Sequence, residues 1–388
     1  MRDSRVDRDL NRARRGARLP RFWLVALSGL TLCTAACDEK KETVETHATE
    51  AGAATDKYAM ADPKLAKALQ AAASATSAGG DKGPPPDGIF GPGVADVRHA
   101  TGAPTTVDLV SEGSEPRVTL APPADGPLTP LYGMAILQLV TQVGPRLILP
   151  VDFALSIGPG KKEEGGADWL VADVKKAALG KEQLSELPPG TDKEVTVLSG
   201  ASLQIKMTPD GRESVVRAQL GKAADSDLAR IGTDAAEALL FATVPLPAKP
   251  VGAGAQWIAE TRMPFMGLDA IVYRAYRVKD AGPDRIRLTL DAKAYATGKE
   301  VHLQGVPPGA TLEQFEAAIG GEIELVRGEA LARKSQLQER VILVLAPAGG
   351  AQPPPTPGQP GGGMMTAQLQ NQSLFVRGED LRVTAKQP

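Results

Sequence analysis

Cysteine is the residue type whose position in this chain says most about chemistry. The 388 residues include two cysteines, Cys33 and Cys37, and both lie near the N-terminus. Cys37 follows an apolar run that starts at Phe22, and the three residues directly before it are small. No cysteine follows Cys37, so a chain that starts there has no partner for a disulfide. A lone thiol is a liability in an oxidising compartment, so a cysteine kept at this one position suits covalent attachment of a lipid. The predicted chemistry is done to the chain rather than by it.

The segment before Cys37 is typical of a bacterial secretion signal. Eight arginines precede or adjoin an apolar run at 22–36. That run is too short to span a bilayer comfortably, but its length fits the core of a signal peptide. We therefore expect residues 1–36 to be a signal peptide. Their removal leaves 36 basic and 43 acidic residues, a net charge of −7, which gives no general attraction for nucleic acid or anionic lipid.

The run Thr34-Ala35-Ala36-Cys37 resembles the lipobox of bacterial lipoproteins, in which the cysteine is acylated and becomes the new N-terminus. The resemblance implies lipidation of Cys37 and a membrane partner reached through N-terminal acyl chains. It also implies a cell-envelope location, on the periplasmic face of the inner or outer membrane or at the cell surface. A soluble secreted protein cut after Ala36 and an uncleaved anchor are the alternatives.

The other residues that could support chemistry are scattered. The three histidines, His47, His99 and His302, have no second ligand at metal spacing, and we interpret each as a solvated surface residue. The run 156–162 looks like a phosphate loop, but it lacks the first glycine and the final Ser or Thr. We therefore predict no catalytic residue, no metal site and no cofactor, and we leave any ligand-binding residues unassigned.

Residues 37–103 are predicted to be a lipid-anchored, disordered tether rich in Ala, Pro and Gly. Large apolar side chains are few in 38–83, so this segment cannot bury enough surface to offset its ordering entropy. The run Gly88–Asp96 is more apolar. We interpret it as a strap laid on the globular domain.

From residue 104 to 388 the sequence predicts a β-rich globular region. Apolar and polar residues alternate, as they do between Ile286 and Ala294, which is typical of half-buried strands. Turn residues at 208–211 and 280–284 separate neighbouring strands. Strands joined by short turns predict an α+β fold that is mostly antiparallel β. The other expected strands are 135–142, 148–157, 169–176, 195–207, 213–220, 256–263, 271–278, 322–327 and 340–345.

One main helix is expected at about 225–242, because its apolar residues share one face and Pro245 follows it. We expect a curled sheet or half-barrel to pack on this helix. A second, shorter helix is expected over 312–319, ended by Gly320-Gly321.

An internal repeat is visible. The spacing of Asp, Lys, Ala and Gly in Asp173–Glu182 recurs in Asp291–Glu300, and a Pro-Pro-Gly triplet follows both. Further on, Leu203-x-Ile205 corresponds to Ile323-x-Leu325. The repeat predicts two related β-meanders, near 134–220 and 255–346.

Residues 347–363 are nearly all Pro, Gly, Ala and Gln. They cannot join a packed sheet, yet strand-like sequence returns after them. We predict a disordered loop between two strands that pair, because long surface insertions cost little closure entropy.

The segment Pro245–Trp257 resembles part of an uncharacterised domain found in bacterial lipoproteins, with the resemblance extending over roughly 130–346. It implies a β-rich lipoprotein domain of unknown function in the periplasm or at the surface. It brings no catalytic residues.

The anchor, the tether and the missing catalytic groups favour a non-enzymatic binding or envelope-scaffold role. The concave face of a curled sheet would suit an apolar ligand. Expected partners are therefore the membrane, envelope proteins or an apolar ligand, and no nucleic acid. Two alternatives stay open. One is an envelope enzyme whose carboxylates come together only in the fold, and the other is a protein-interaction module that uses the loop at 347–363.

Overall fold

The fold is mostly antiparallel β, as predicted. Every named strand pairs antiparallel with its neighbours in the sheet. No helix in the described part of the chain is long and apolar enough to cross a membrane. The computed structural model describes residues 85–120, 132–141, 151–160, 168–179, 190–208, 212–224, 228–301, 306, 309–327, 331–347 and 365–377.

Twelve strands are described, and they follow the order β1-β7-β8-β9-β10-β11-β12-β2-β3-β4-β5-β6 across the sheet. Their bounds are Thr106–Ser111 (β1), Tyr132–Thr141 (β2), Val151–Pro159 (β3), Asp168–Leu179 (β4), Ser202–Met207 (β5), Glu213–Gln219 (β6), Gln256–Phe265 (β7), Leu268–Ala281 (β8), Arg285–Ala296 (β9), Thr311–Val326 (β10), Lys334–Ala346 (β11) and Met365–Arg377 (β12).

This order contains two five-strand meanders, β2 to β6 and β7 to β11, in which each strand pairs with the next along the chain. β12 pairs with both β11 and β2 and so joins the meanders. The residues that resemble each other in sequence lie on equivalent strands. Asp173 and Asp291 lie on the third strand of their meanders, β4 and β9, and Leu203 and Ile323 lie on the fourth, β5 and β10.

The described helices are α1 (Val94–Arg98), α2 (Thr191–Val195) and α3 (Ala229–Ala242), with 3-10 turns at 196–198 and 221–223. Eleven of the fourteen residues of α3 are buried, so this helix lies in the interior. It ends at Ala242. Thr243 takes up extended backbone, two residues before Pro245.

Both meanders contact α3. Gly232 of α3 lies so close to the end of the first meander that a Cβ atom there would be 2.3 Å from Cδ2 of Leu220. At the other end of the helix, the ring of Phe241 packs edge-on against Phe265 of β7, with centroids 6.5 Å apart. Phe265 in turn packs edge-on against Phe315 of β10. The helix therefore sits in the main core with side chains from both halves of the sheet.

The predicted helix at 312–319 is wrong, because these residues belong to β10 and pair with β9 and β11. The two glycines expected to end that helix lie in the middle of the strand. A Cβ atom on Gly321 would lie 2.1 Å from the backbone oxygen of Gln336 on β11. Close approach of two strands, rather than a helix end, explains why glycine stands at 321.

The strand predicted at 195–207 is also shorter than expected. Residues 191–198 form α2 and a 3-10 turn, and β5 begins only at Ser202. Gly200, with φ of 91°, makes the turn between them. Val195 and Leu198 are fully buried from this helical stretch, whereas Val197 is 38% exposed, so tertiary contacts overrode the strand preference of the sequence.

The folded region begins by residue 85 rather than at 104. Phe90 is buried, and its backbone N donates a hydrogen bond of 2.8 Å to the oxygen of Ala296 at the end of β9. Gly88 adopts φ of 75° and lies against β10, where a Cβ atom would be 1.7 Å from the oxygen of Phe315. Residues 85–103 are therefore packed on the domain, because burial of large apolar side chains offsets their ordering entropy.

Several predictions concern parts of the chain outside the described residues. These are the signal peptide, Cys37, the tether up to residue 84, and residues 348–363 of the predicted loop. The strands that flank this loop, β11 and β12, do pair with each other.

Candidate functional site between the main helix and the sheet

Of the residues singled out for chemistry, Cys37, His47 and His302 lie outside the described residues. His99 is described, and the prediction that it is a solvated surface residue is wrong. Its side chain is only 3% exposed. The histidine lies three residues after Gly88–Asp96, the run that we interpret as a strap on the domain, but no sequence signal extends that packing to residue 99.

Three carboxylates meet at one small cavity between α3 and the second meander. Asp234 and Glu237 come from α3, and Glu339 comes from β11. The cavity has a volume of about 20 Å³, which is room for one water molecule. We call it the acid chamber. Its remaining walls are Ala238, Phe241, Ile319, Leu337 and Ser373.

Local structure places these three acids together. Asp234 and Glu237 are three residues apart on α3, so they share one face of the helix. Glu339 stands between Leu337 and Val341 in the alternating pattern of β11, and both of those neighbours are buried. A carboxylate in that phase of the strand must face the core side of the sheet.

Glu237 is the most deeply placed acid of the chamber, being 4% exposed. Its Oε1 accepts a hydrogen bond of 2.9 Å from the backbone N of Met266. Burial raises the pKa of Glu237 well above its usual range, and the nearby charges of Asp234 and Glu339 raise it further. Arg230 offsets this in part, with its Nε 4.0 Å from Oδ2 of Asp234.

Chemically, the acid chamber can store a proton. A protonated Glu237 keeps one oxygen for the Met266 amide and has an O–H group left to donate to a neighbouring acceptor. Within the described residues, no group of three or more His, Cys, Asp or Glu side chains is placed to hold a metal ion.

A second buried polar group lies where the two ends of the strand order approach each other. Arg274 of β8 forms an ion pair with Glu213 of β6, and both side chains are fully buried. The same guanidinium nitrogen, Nη2, donates to Oγ1 of Thr261 at 2.6 Å. Thr105, just before β1, donates its backbone N to the oxygen of Glu213 at 2.8 Å. We call these four residues the seam cluster.

The seam cluster binds the outer edge of β6, which has no backbone ladder to a further strand among the described residues. Among the described residues no ladder joins β6 to β1 or β7, so β6 is held there by the ion pair and by Thr105. The hydroxyls of Thr105 and Thr261 are 2.7 Å apart and complete the network. Buried charges of this kind stabilise a structure only while both partners are present.

A larger hollow, of about 400 Å³, lies at the β8–β9 hairpin and is open to solvent. Four of its five charged side chains form two ion pairs. Arg287 lies 2.9 Å from Asp280, and Arg285 lies 3.3 Å from Glu324. Exposed pairs of this kind contribute little and do not mark a binding site.

Sequence reasoning missed both buried polar groups, although one signal was present. Arg274 stands in the buried phase of β8, two residues after Val272 and two before Tyr276. A charged residue in the apolar phase of a strand indicates a buried ionic partner. The partner itself could not be found, since Glu213 is 61 residues away.

No known protein family matches this chain, and no curated protein sequence matches it either.

Proposed function

We propose that this protein is a membrane-anchored lipoprotein of the cell envelope with a non-enzymatic binding role. Acyl chains on Cys37 would hold it at the membrane, and the β-rich domain would carry an apolar ligand. In this proposal the sheet curls around α3 as a half-barrel. The helix occupies the concave face in the closed state, and the ligand takes its place when the helix moves aside.

The observation that carries the proposal is the composition of the contact between α3 and the second meander. A helix that permanently fills a core presents apolar side chains to it. Here α3 presents Asp234 and Glu237, which face Glu339 across the acid chamber. Burying carboxyl groups costs free energy that opening of the contact would recover. The contact between this face of α3 and the second meander is therefore the one that separates most easily.

The surface beneath α3 suits an apolar ligand. Ile319, Leu337 and Phe375, from three adjacent strands, are all buried and would become accessible if the helix moved. Apolar walls with a few polar groups at one end are typical of sites for small amphiphilic molecules. A lipid or an acyl chain fits this description.

The acid chamber also supports the second candidate, an envelope enzyme. It combines a carboxyl group of raised pKa with two further acids, which is the arrangement used for general acid–base catalysis. We place this candidate second because a cavity of about 20 Å³ admits water but no substrate.

The test is mass spectrometry of lipids that remain bound to the full-length protein extracted from native membranes. The wild-type protein is expected to carry a defined lipid. Glu237→Gln keeps the acceptor for the Met266 amide but removes the charge, so it should strengthen the closed state and lower the amount of bound lipid. Glu313→Gln, which changes a carboxylate outside the chamber, is the matched control. A wild-type protein free of lipid would refute the binding role.

A further inference from the structure

Residues 85–105, which we call the strap, cross the outer face of the second meander before the sheet begins. The strap starts beside β9, where Ile89 forms a bridge with Ala296. It ends at Thr105, which is fully buried in the seam cluster. The strap therefore runs from β9, the middle strand of the second meander, to β7, its first strand.

Apolar contacts hold the middle of the strap. Phe90 and Ala95 form a small core of their own with Ile258, Ile271, Tyr273 and Ala275 on the outer face of β7 and β8. The guanidinium of Arg98 lies over two rings of this core, 5.4 Å from the centroid of Phe90 and 5.5 Å from that of Tyr273. Such contacts are favourable for a cation that keeps its charge at every relevant pH.

The strap also places one histidine against one carboxyl group of the sheet. Nδ1 of His99 lies 3.9 Å from Oε1 of Glu260 on β7, and their side chains are 2% and 18% exposed. Nε2 of the same ring lies 3.3 Å from the backbone oxygen of Ala103. A carbonyl oxygen can only accept, so Nε2 carries a hydrogen. When the ring is neutral, Nδ1 therefore carries the lone pair and faces Glu260, which suits a carboxyl group that is protonated.

Other charged or titratable side chains lie around this pair on the strap and on three strands. Arg98 from the strap and Asp108 from β1 act on Glu260, and Tyr273 from β8 faces it. Arg262 from β7 acts on His99 and donates a hydrogen bond to its backbone oxygen. Arginine keeps its charge between about pH 5 and 8, and burial raises the pKa of Tyr273, so its phenol stays neutral there. His99 and Glu260, which lie 3.9 Å apart, are the pair that can exchange a proton.

We propose that the strap is a releasable latch in which His99 and Glu260 hold one proton between them, and that docking moves this proton from the imidazolium to the carboxylate. In the released strap at mildly acidic pH, His99 is the protonated member and Glu260 is ionised. In the docked strap the carboxyl group holds the proton and the ring is neutral. Docking then needs no net uptake or loss of a proton.

The pKa shifts of the docked state agree with this exchange. Burial lowers the pKa of His99 below its usual value and raises the pKa of Glu260 to about 7. Because the pKa of Glu260 is higher in the docked state, its protonation favours docking more and more as the pH falls below about 7. Because the pKa of His99 is lower in the docked state, its protonation opposes docking as the pH falls below about 6.5, the usual pKa of histidine. The opposite effects of the two groups on the docking equilibrium cancel below about pH 6.5. The fraction of docked strap therefore stays constant across a range of mildly acidic pH.

Two cysteine variants of the full-length protein measure release of the strap. Ala95→Cys places a thiol at a position that is 2% exposed, whereas Val97→Cys, on the same helix α1, places one at a position that is 77% exposed. The labelling rate of Cys at 95 divided by that at 97, each read by mass spectrometry of its own peptide, gives the open fraction. The division cancels the pH dependence of thiol reactivity itself.

Between pH 6.5 and 5 the open fraction of the otherwise wild-type protein should change by less than about twofold, since no net proton is exchanged. With His99→Gln added, it should fall about tenfold for each pH unit lost, and with Glu260→Gln added it should rise by about the same factor. A tenfold pH dependence without these changes, or flat profiles in both variants, would overturn the proposal.

A variant whose strap no longer docks would label at 95 as fast as at 97 at every pH. For that case, NMR titration of the ¹³C-labelled histidine rings in the unmodified full-length protein gives a second readout. The His99 ring, assigned from the signal that is lost in His99→Gln, should titrate below its usual pKa of about 6.5. Titration of His99 at or above that value would refute the shared proton.

Discussion

Arg274 and Glu213 form a fully buried ion pair that ties the second strand of one meander to the last strand of the other. The pair lies where the strand ladders of the sheet leave an edge unpaired, and Thr105 and Thr261 surround it with hydroxyl groups. Water is displaced from both charges at this position. The pair therefore fixes how the two meanders meet, and its stability depends on both partners being present.

The first prediction concerns this pair. Glu213→Gln leaves the Arg274 charge buried without its counter-charge, and we expect a loss of about 3–5 kcal/mol in the free energy of unfolding. The double change Arg274→Met with Glu213→Leu removes both charges and should cost clearly less than the single change. Urea unfolding measures both values. A double variant as unstable as the single one would show that the ionic interaction is not what holds the seam.

The second prediction separates two neighbouring glycines of β10. Gly321→Ala would place a methyl group against the backbone of β11, so we expect a loss of about 1–3 kcal/mol from strain. Gly320→Ala is the matched control, because its Cβ atom would have no neighbour closer than 3.7 Å. That variant should stay within about 0.5 kcal/mol of the wild type. Equal effects of the two changes in urea unfolding would contradict the close approach of β10 and β11.

The strand content and the hairpin turns could be predicted from sequence because they depend on local chemistry. The alternation in β9 and the turn residues at 280–284 lie where expected, and the main helix ends before Pro245. These features are encoded within a few residues of each other.

The failures share a physical cause, which is contact between distant parts of the chain. The apolar residues of 312–319 fit a helical face as well as a strand, and pairing with β9 and β11 decided the outcome. The apolar run Gly88–Asp96 predicts a strap on the domain, but no local pattern shows that its site is the outer face of β7 and β8. Likewise, no spacing rule brings Glu237 of α3 to Glu339 of β11.

The third prediction concerns the pH dependence of stability. The pKa of Glu237 is raised in the folded state, so its stabilising contribution is present at low pH and is lost as the pH rises through the folded value. In Glu237→Gln the side chain stays neutral at every pH, so this stabilising contribution is not lost as the pH rises. We expect this variant to raise Tm at pH 8 by about 2–4 °C, the shift that corresponds to about 1 kcal/mol in a large domain, and to lose this advantage near pH 4.

Glu313→Gln serves as the control for that measurement. The pKa of Glu313 is lowered by a hydrogen bond from Lys299, which lies 2.8 Å away, so its pH dependence has the opposite sign. This variant should not gain stability at pH 8. A Glu237→Gln protein that melts at a lower temperature than wild type at pH 8 would show that the charged carboxylate stabilises the helix contact.

The central proposal is that a lipid-anchored domain holds an apolar ligand under α3. Native mass spectrometry of the full-length protein, extracted from its own membranes in mild detergent, tests it most directly. The account predicts a chain that begins at an acylated Cys37 and carries one lipid that is released when the domain unfolds. A chain with an unmodified Cys37, or an acylated chain with no bound lipid, would contradict it.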